Sequence, residues 1–198
     1  SPRHFVYFYS LAWLFADGSG ISYQSPRCIA SRCRQCYKES DDMGIKYLTG
    51  DATQPIGQGN KIIVHVCNDV GGWGKGFVLA ISKKWKDPEI KYREWAKSGQ
   101  NFELGQVQFV QVEPTIWIAN MIGQRDVKKG KDGTPPVRYD AIKQGLGTVG
   151  VFAREIGASV HMPRIGCGLA GGTWDQIEPV LTHTLTRVGV DTVVYDFQ

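Results

Sequence analysis

Three things are scarce in this sequence. No apolar run approaches the about 18–20 residues that a membrane-spanning helix needs. The stretch Phe5 to Ala16 is aromatic but short, and no clear cleavage site follows it, so neither a bilayer span nor a secretory leader is indicated. Cysteine is sparse and unpaired in spacing: five residues, an odd number, argue against a disulfide scaffold and for a reducing compartment. Charge of one sign is also missing. Lys and Arg number 23 against 19 Asp and Glu, and a net charge of +4 is too mild to indicate a nucleic-acid surface; it suits a small anionic ligand equally well.

Cys28, Cys33 and Cys36 space as C-x4-C-x2-C, the way plant-type iron–sulfur ligands begin. The fourth ligand would have to be Cys67, which lies in a strand with another task, so no metal and no cofactor is expected. Within the 198 residues there is room for one domain with a sizeable core and an appendage. Residues 1–42 mix aromatics, cysteines and basic residues with no sustained period. Met43 then opens an ordinary strand-forming segment. The expectation is a leader, a fusion remnant or a functional extension over 1–42 and a domain over 43–198.

What is present centres on two glycine-rich stretches. Ile62 to Val66 is a β-branched run that reads as a buried strand; it ends in Asn68-Asp69 and then Gly71-Gly72-Trp73-Gly74-Lys75-Gly76. A strand-like segment over 158–162 is followed by Ile165-Gly166-Cys167-Gly168-Leu169. Strand, glycine loop, helix start is how an open α/β sheet offers backbone N–H groups to phosphate. Neither stretch fits the common regular motifs: Gly72, Gly74 and Gly76 make G-x-G-x-G, and Asp69 stands where a P-loop has its first glycine.

In order, the pattern predicts strands over 45–49, 61–66, 106–112, 115–122, 158–162 and 191–197. Helices are predicted over 77–85, from Asp87 to Lys97, from Val137 to about Glu155, and after Thr173. Asp87 is expected as an N-cap with Pro88 behind it, and Thr173 with Gln176 as a capping box. Pro179 predicts an irregular turn ahead of a last helix that ends by Gly189. Gly145, Gly147 and Gly150 suggest close helix–sheet packing, and the charged stretch 125–136 is either a solvated loop or a loop at a ligand mouth. Strands alternating with helices around one hairpin predict a mixed sheet with helices on both faces, and ligands of such sheets bind where loops leave the carboxyl ends of strands.

Gly50-Asp51-Ala52, His65-Val66-Cys67-Asn68 leading into Gly71–Gly76, and Pro163-Arg164-Ile165-Gly166-Cys167-Gly168-Leu169 before Trp174 together resemble the macrodomain family. The resemblance is nearest the terminal ADP-ribose protein glycohydrolase and ADP-ribose-1″-phosphate phosphatase branches, and it covers roughly 44–198. It implies a three-layer α/β/α fold on a mixed, mostly parallel sheet of about six strands. It implies that Asp51 and Ala52 receive adenine, that the segment Asn68 to Gly76 holds the distal ribose and one phosphate, and that Ile165 to Leu169 offer N–H groups to the diphosphate. Asn120 and Gln124, on the central strand, complete the expected binding set. The glycohydrolase branch carries a lysine and an aspartate where this chain has Gln124 and Ala170.

The chemistry that remains rests on Asp69 as a base for water, Asn68 on a ribose hydroxyl, and His65 on a phosphate or leaving group. A second reading of His65 is a neutral, hydrogen-bonded core residue. Cys67 and Cys167 read as small buried residues. Three functions follow: hydrolysis of ADP-ribose from ester-linked Glu or Asp side chains, phosphatase action on ADP-ribose 1″-phosphate, or non-catalytic reading of ADP-ribose. The expected partner is ADP-ribose or an ADP-ribosylated protein, with no membrane and no nucleic acid. The expected molecule is a cytoplasmic monomer, or a nuclear one in a eukaryote.

Overall fold

The structure, a computed structural model, describes residues 44–197; the expectations for the N-terminal segment and its three cysteines lie outside the described residues. Six strands form one sheet: β1 (Ile45–Thr49), β2 (Asn60–Asn68), β3 (Val107–Glu113), β4 (Ile116–Gln124), β5 (Ala158–Pro163) and β6 (Thr192–Asp196). Their spatial order is β1-β6-β5-β2-β4-β3. Every neighbouring pair is parallel except the β3–β4 hairpin. This is the expected mixed, mostly parallel sheet.

Four helices cover it: α1 (Phe77–Lys84), α2 (Asp87–Ser98), α3 (Tyr139–Ile156) and α4 (Trp174–Thr184). The period-2 geometry of β2 assigns its residues to two cores. Ile62 and Val64 pack with Ile142, Leu146, Ile177 and Leu181 of α3 and α4. Ile63 and Cys67 pack on the other face with Ile81, Tyr92 and Trp95 of α1 and α2. Both layers of helix are therefore present.

One of the three expected glycine contacts with the sheet holds and two differ. A Cβ at Gly145 would stand 2.5 Å from Met121 Sδ, so α3 does approach the sheet there. A Cβ at Gly150 would instead meet the Thr184 carbonyl oxygen at 2.6 Å, so that glycine admits α4 rather than the sheet, and Gly147 faces open space.

Three local expectations are corrected. Thr173 is the N-cap of α4, but its side chain makes no capping bond; Gln176 N–H bonds the Thr173 carbonyl instead, so the capping box does not form. Pro179 does not precede the helix but lies inside it. Ile177 and Leu181, both fully buried, hold that turn against the core despite the lost N–H donor. The helix ends at Thr184, and a separate 3₁₀ turn, Thr186–Val188, leads to Gly189 in the left-handed region. Finally, the N-cap of α2 is Lys86, with Asp87 already inside the first turn.

Candidate functional site

The parallel pairing of β2 with β5 explains why two segments a hundred residues apart meet. Parallel neighbours send their carboxyl ends the same way, so the loops that leave them emerge side by side. Pairing runs only from Asn60↔Ala158 to Ile63↔His161, although β2 continues to Asn68. Beyond that point the two strands separate. A cavity of about 690 Å³ fills the split, lined from one side by residues 65–68 and 72–78 and from the other by residues 163–166 and 168–170. The loops nearly touch across it: a Cβ at Gly76 would lie 3.6 Å from Leu169 Cδ1.

The cavity takes in most of the expected set. His65, Asn68, Gly72, Trp73, Gly74, Lys75, Gly76, Gln124, Ile165, Gly166, Gly168 and Leu169 all line it. Asp51, Ala52, Asp69, Asn120 and Cys167 are not among the lining residues. Ala52 is buried with Val193 and Tyr195, and Phe77 packs against that cluster while also facing the cavity. Phe77 therefore stands between the Asp51 segment and the split. Burial pushes the Asp51 carboxyl up, but bonds from Thr53 and Gln54 and the charge of Lys84 outweigh it and leave the group below the usual carboxylate range.

Backbone donors converge on the cavity. Helix α1 begins at Phe77 behind Gly76, which has φ 79°, has no side-chain cap and carries no acid in its first turn. Its leading N–H groups and the positive end of its dipole face the split. In the second loop, the N–H groups of Gly166, Gly168 and Leu169 find no backbone acceptor among the described residues. That loop is closed by Gly172 N–H to the Gly166 carbonyl at 2.9 Å and Gly171 N–H to the Gly168 carbonyl at 3.0 Å. Gly166 needs its glycine: φ is 71°, and a Cβ would meet Ile177 Cδ1 at 2.8 Å.

Side chains at the first loop are largely occupied in holding it. Asn68 Oδ1 accepts from Val70 N–H at 3.1 Å and Gly72 N–H at 2.8 Å, and its Nδ2 donates to the Gly72 carbonyl at 2.6 Å. Tyr92 of α2 donates its hydroxyl to the Asn68 carbonyl. Asp69 accepts from Asp126 N–H at 2.7 Å and faces Arg125 at 3.8 Å, which ties it to the segment after β4. Gln124 Nε2 donates to the Asp126 carbonyl at 2.8 Å.

His65 is 2 % exposed, and burial pushes its pKa down to about 4, against a bond to Asn120 that acts the other way. Its Nε2–H donates to Asn120 Oδ1 at 2.7 Å, and its ring meets Trp73 edge-on at 5.3 Å. Asn120 in turn donates to the Pro88 carbonyl and to Gln108. The ring is thus neutral near pH 7. Burial also pushes the Cys67 thiol well up, and that of Cys167 up against the nearby charge of Arg164.

Several lining residues carried no motif. Phe77 and Val78 follow the glycine run directly, and their place at a helix start was the available signal. Val127 and Lys128 come from the charged loop, which does reach the mouth. Arg164, which does belong to the Pro163–Leu169 run but had no expected role, lines the edge, held by Asp196 and stacked over Tyr47 and Trp174 with centroid distances of 5.3 and 5.0 Å. The described lining residues include Lys75, Lys128 and Arg164 and no carboxylate. Among the described residues no cluster of three His, Cys, Asp or Glu could hold a metal ion, and no helix is long and apolar enough to cross a membrane.

A macrodomain protein from Streptomyces coelicolor shares this fold with a TM-score of 0.69 and 55% identity, over 77% of this chain and 98% of that one. The chain belongs to the macrodomain family. A structure of a protein of unknown function from Bacteroides thetaiotaomicron matches this macrodomain with 56% identity and a TM-score of 0.78, over 79% of this chain and 99% of that one. Among curated relatives, a chromodomain-helicase-DNA-binding protein 1-like from Danio rerio is 30% identical over 168 residues, 81% of this chain. The macrodomain spans only 16% of that relative's length and 19% of its Mus musculus counterpart's. An ADP-ribose 1″-phosphate phosphatase from Candida albicans is 26% identical over 151 residues, 69% of this chain and 91% of that protein. No protein-family model matches the chain.

Proposed function

We propose that this macrodomain binds ADP-ribose in the split between β2 and β5 and hydrolyses it from ester-linked Glu or Asp side chains of modified proteins. The observation that carries the reading is the meeting of two backbone-donor loops across one cavity of about 690 Å³. A diphosphate is the ligand group that such a pair suits: each loop offers N–H groups to one phosphate, and no Lys or Arg clamp is required. The name of the Candida albicans relative points to the same nucleotide sugar.

In this reading the start of α1 and Gly74 serve one phosphate, and Gly166, Gly168 and Leu169 serve the other. The adenine lies beyond Phe77, towards Asp51 and Ala52. The distal ribose lies at the Asn68 and Trp73 end, next to Gln124 and Lys128. An ester bond to C1″ is labile, so orienting it beside a water supplies much of the rate without a strong nucleophile. Water adds across the bond and leaves ADP-ribose and a free carboxylic acid. Asp69 is assigned as the base for that water, released from Asp126 N–H as the segment after β4 adjusts to substrate. The neutral His65 ring, supported by Asn120, is assigned to holding Trp73 rather than to proton transfer.

The test presents the protein with glutamate-ADP-ribosylated protein and, separately, with ADP-ribose 1″-phosphate. Release of ADP-ribose from the modified protein is expected, and Asp69→Ala is expected to slow it at least tenfold with little change in ADP-ribose binding. Inorganic phosphate as the sole product would replace this reading with the phosphatase one. Tight binding with neither product would leave a reader of ADP-ribose.

A further inference from the structure

Helix α2 contributes nothing to the cavity lining, yet it grips the first loop at its start and at its middle. Tyr92 holds the Asn68 carbonyl where the loop begins. At the middle of the loop, Arg93 Nη2 donates to the Trp73 carbonyl oxygen at 3.1 Å. The same guanidinium is fixed by Glu89, 3.0 Å from Oε1 through both Nε and Nη2. Glu89 Oε2 accepts from Ser82 Oγ at 2.9 Å, and Ser82 accepts from Trp73 Nε1 at 2.7 Å. Trp73 is thus held by ring and by carbonyl through one connected set of charged and neutral bonds, all on the side away from the split.

We infer that Arg93 is a positioning residue that selects the orientation of the Trp73–Gly74 peptide, and so decides whether the first loop shows the ligand a donor or an acceptor. In a trans peptide the carbonyl oxygen and the following N–H point in opposite directions. With the Trp73 oxygen drawn back to Arg93, the Gly74 N–H is directed away from α2, towards the cavity that Gly74 lines. That N–H has no backbone acceptor among the described residues. Glycine at 74 makes the choice a real one, because it lets the adjoining torsions swing. The flipped peptide would aim a carbonyl oxygen at an anion. The fork of the guanidinium lets one side chain hold a carboxylate and a carbonyl together, which a lysine ammonium does less well.

This inference rests on the ADP-ribose reading only for its ligand, so its primary readout is taken without ligand. In the free full-length protein, Arg93→Ala is expected to move the Gly74 amide resonance and to speed its hydrogen exchange, with Arg93→Lys intermediate. With ligand, Arg93→Ala is expected to raise the Kd for ADP-ribose about tenfold, the value of one charge-assisted hydrogen bond. Gly74→Ala supplies the second variant. Gly74 is outside the positive-φ region and its Cβ would meet nothing within 4 Å, so alanine fits, and by narrowing the swing it should shrink the Arg93→Ala loss. A Gly74 resonance unmoved by Arg93→Ala overturns the inference, as does an equal loss in both backgrounds. Failure of the wild-type protein to bind ADP-ribose would overturn the proposed function instead, and the resonance would still decide this point.

Discussion

The two glycine loops face one cavity but are built differently. The loop after β5 is closed by its own backbone, with Gly172 and Gly171 bonding back to Gly166 and Gly168, and anchored by the buried side chains of Ile165 and Ala170. The loop after β2 is shaped from outside, by Asn68 at the end of β2 and by Tyr92, Arg93, Ser82 and Glu89 behind it. A self-closed loop is vulnerable at its glycines and its core contacts. A braced loop is vulnerable at side chains far from the ligand. Each also leaves a strand with a buried histidine: His65 at 2 % exposure and His161 at 1 %.

The histidines offer the largest effect and test both halves at once. Burial lowers the pKa of each to about 4, with the charge of Lys61 adding to the shift at His161. Both are therefore depressed below the unfolded value near 6.5. Between the two values the unfolded chain binds protons that the folded chain does not. The stabilisation is complete above about pH 6.5 and is lost as pH falls towards 4, at roughly 1.4 kcal/mol per pH unit for each histidine. Urea unfolding across that window checks it. His65→Gln should flatten the slope by about half; a slope unchanged in the variant contradicts the assignment.

The next largest effect separates the loops. Gly166→Ala places a methyl against Ile177 at φ 71°, and is expected to cost roughly 2–3 kcal/mol in unfolding free energy through left-handed strain and overpacking. Gly74→Ala meets open space and is expected to stay within about 0.5 kcal/mol of wild type. Equal costs at the two positions would remove the contrast.

Tyr92→Phe probes the brace without opening a cavity. It removes the hydroxyl held by Asn68 and is expected to lower stability by about 1–1.5 kcal/mol, with ADP-ribose affinity falling more than in any substitution on the outer face of α3. Lys75→Ala should be the mildest. Lys75 is exposed at the cavity rim, so a change in Kd of about two- to threefold, growing at low salt, is expected by calorimetry.

The contrast also explains what could be read in advance. The self-closed loop was visible as a glycine run behind a strand, because the backbone bonds that close it join residues within seven positions of one another. The strands were visible as β-branched runs, except that β2 continues through Cys67 and Asn68; the polar end is paired by Gln124, a partner not visible from local pattern. The brace was not legible. It joins residues 68 and 73 to 82, 89, 92 and 93, and in sequence Glu89 with Arg93 is an ordinary helix surface pair four residues apart. His65 was readable as a neutral, hydrogen-bonded strand histidine, but its partners, Asn120 and the edge of Trp73, were not. Pro179 misled because a local rule yielded to two buried neighbours on the same helix.

The most direct measurement is titration calorimetry of the full-length protein with ADP-ribose, set beside adenosine and ribose 5-phosphate. Backbone donors from two loops converging on a diphosphate predict one-to-one binding of ADP-ribose, at least tenfold tighter than either fragment, and weakened by Gly166→Ala. No heat with ADP-ribose, or equal affinity for adenosine alone, would contradict the account.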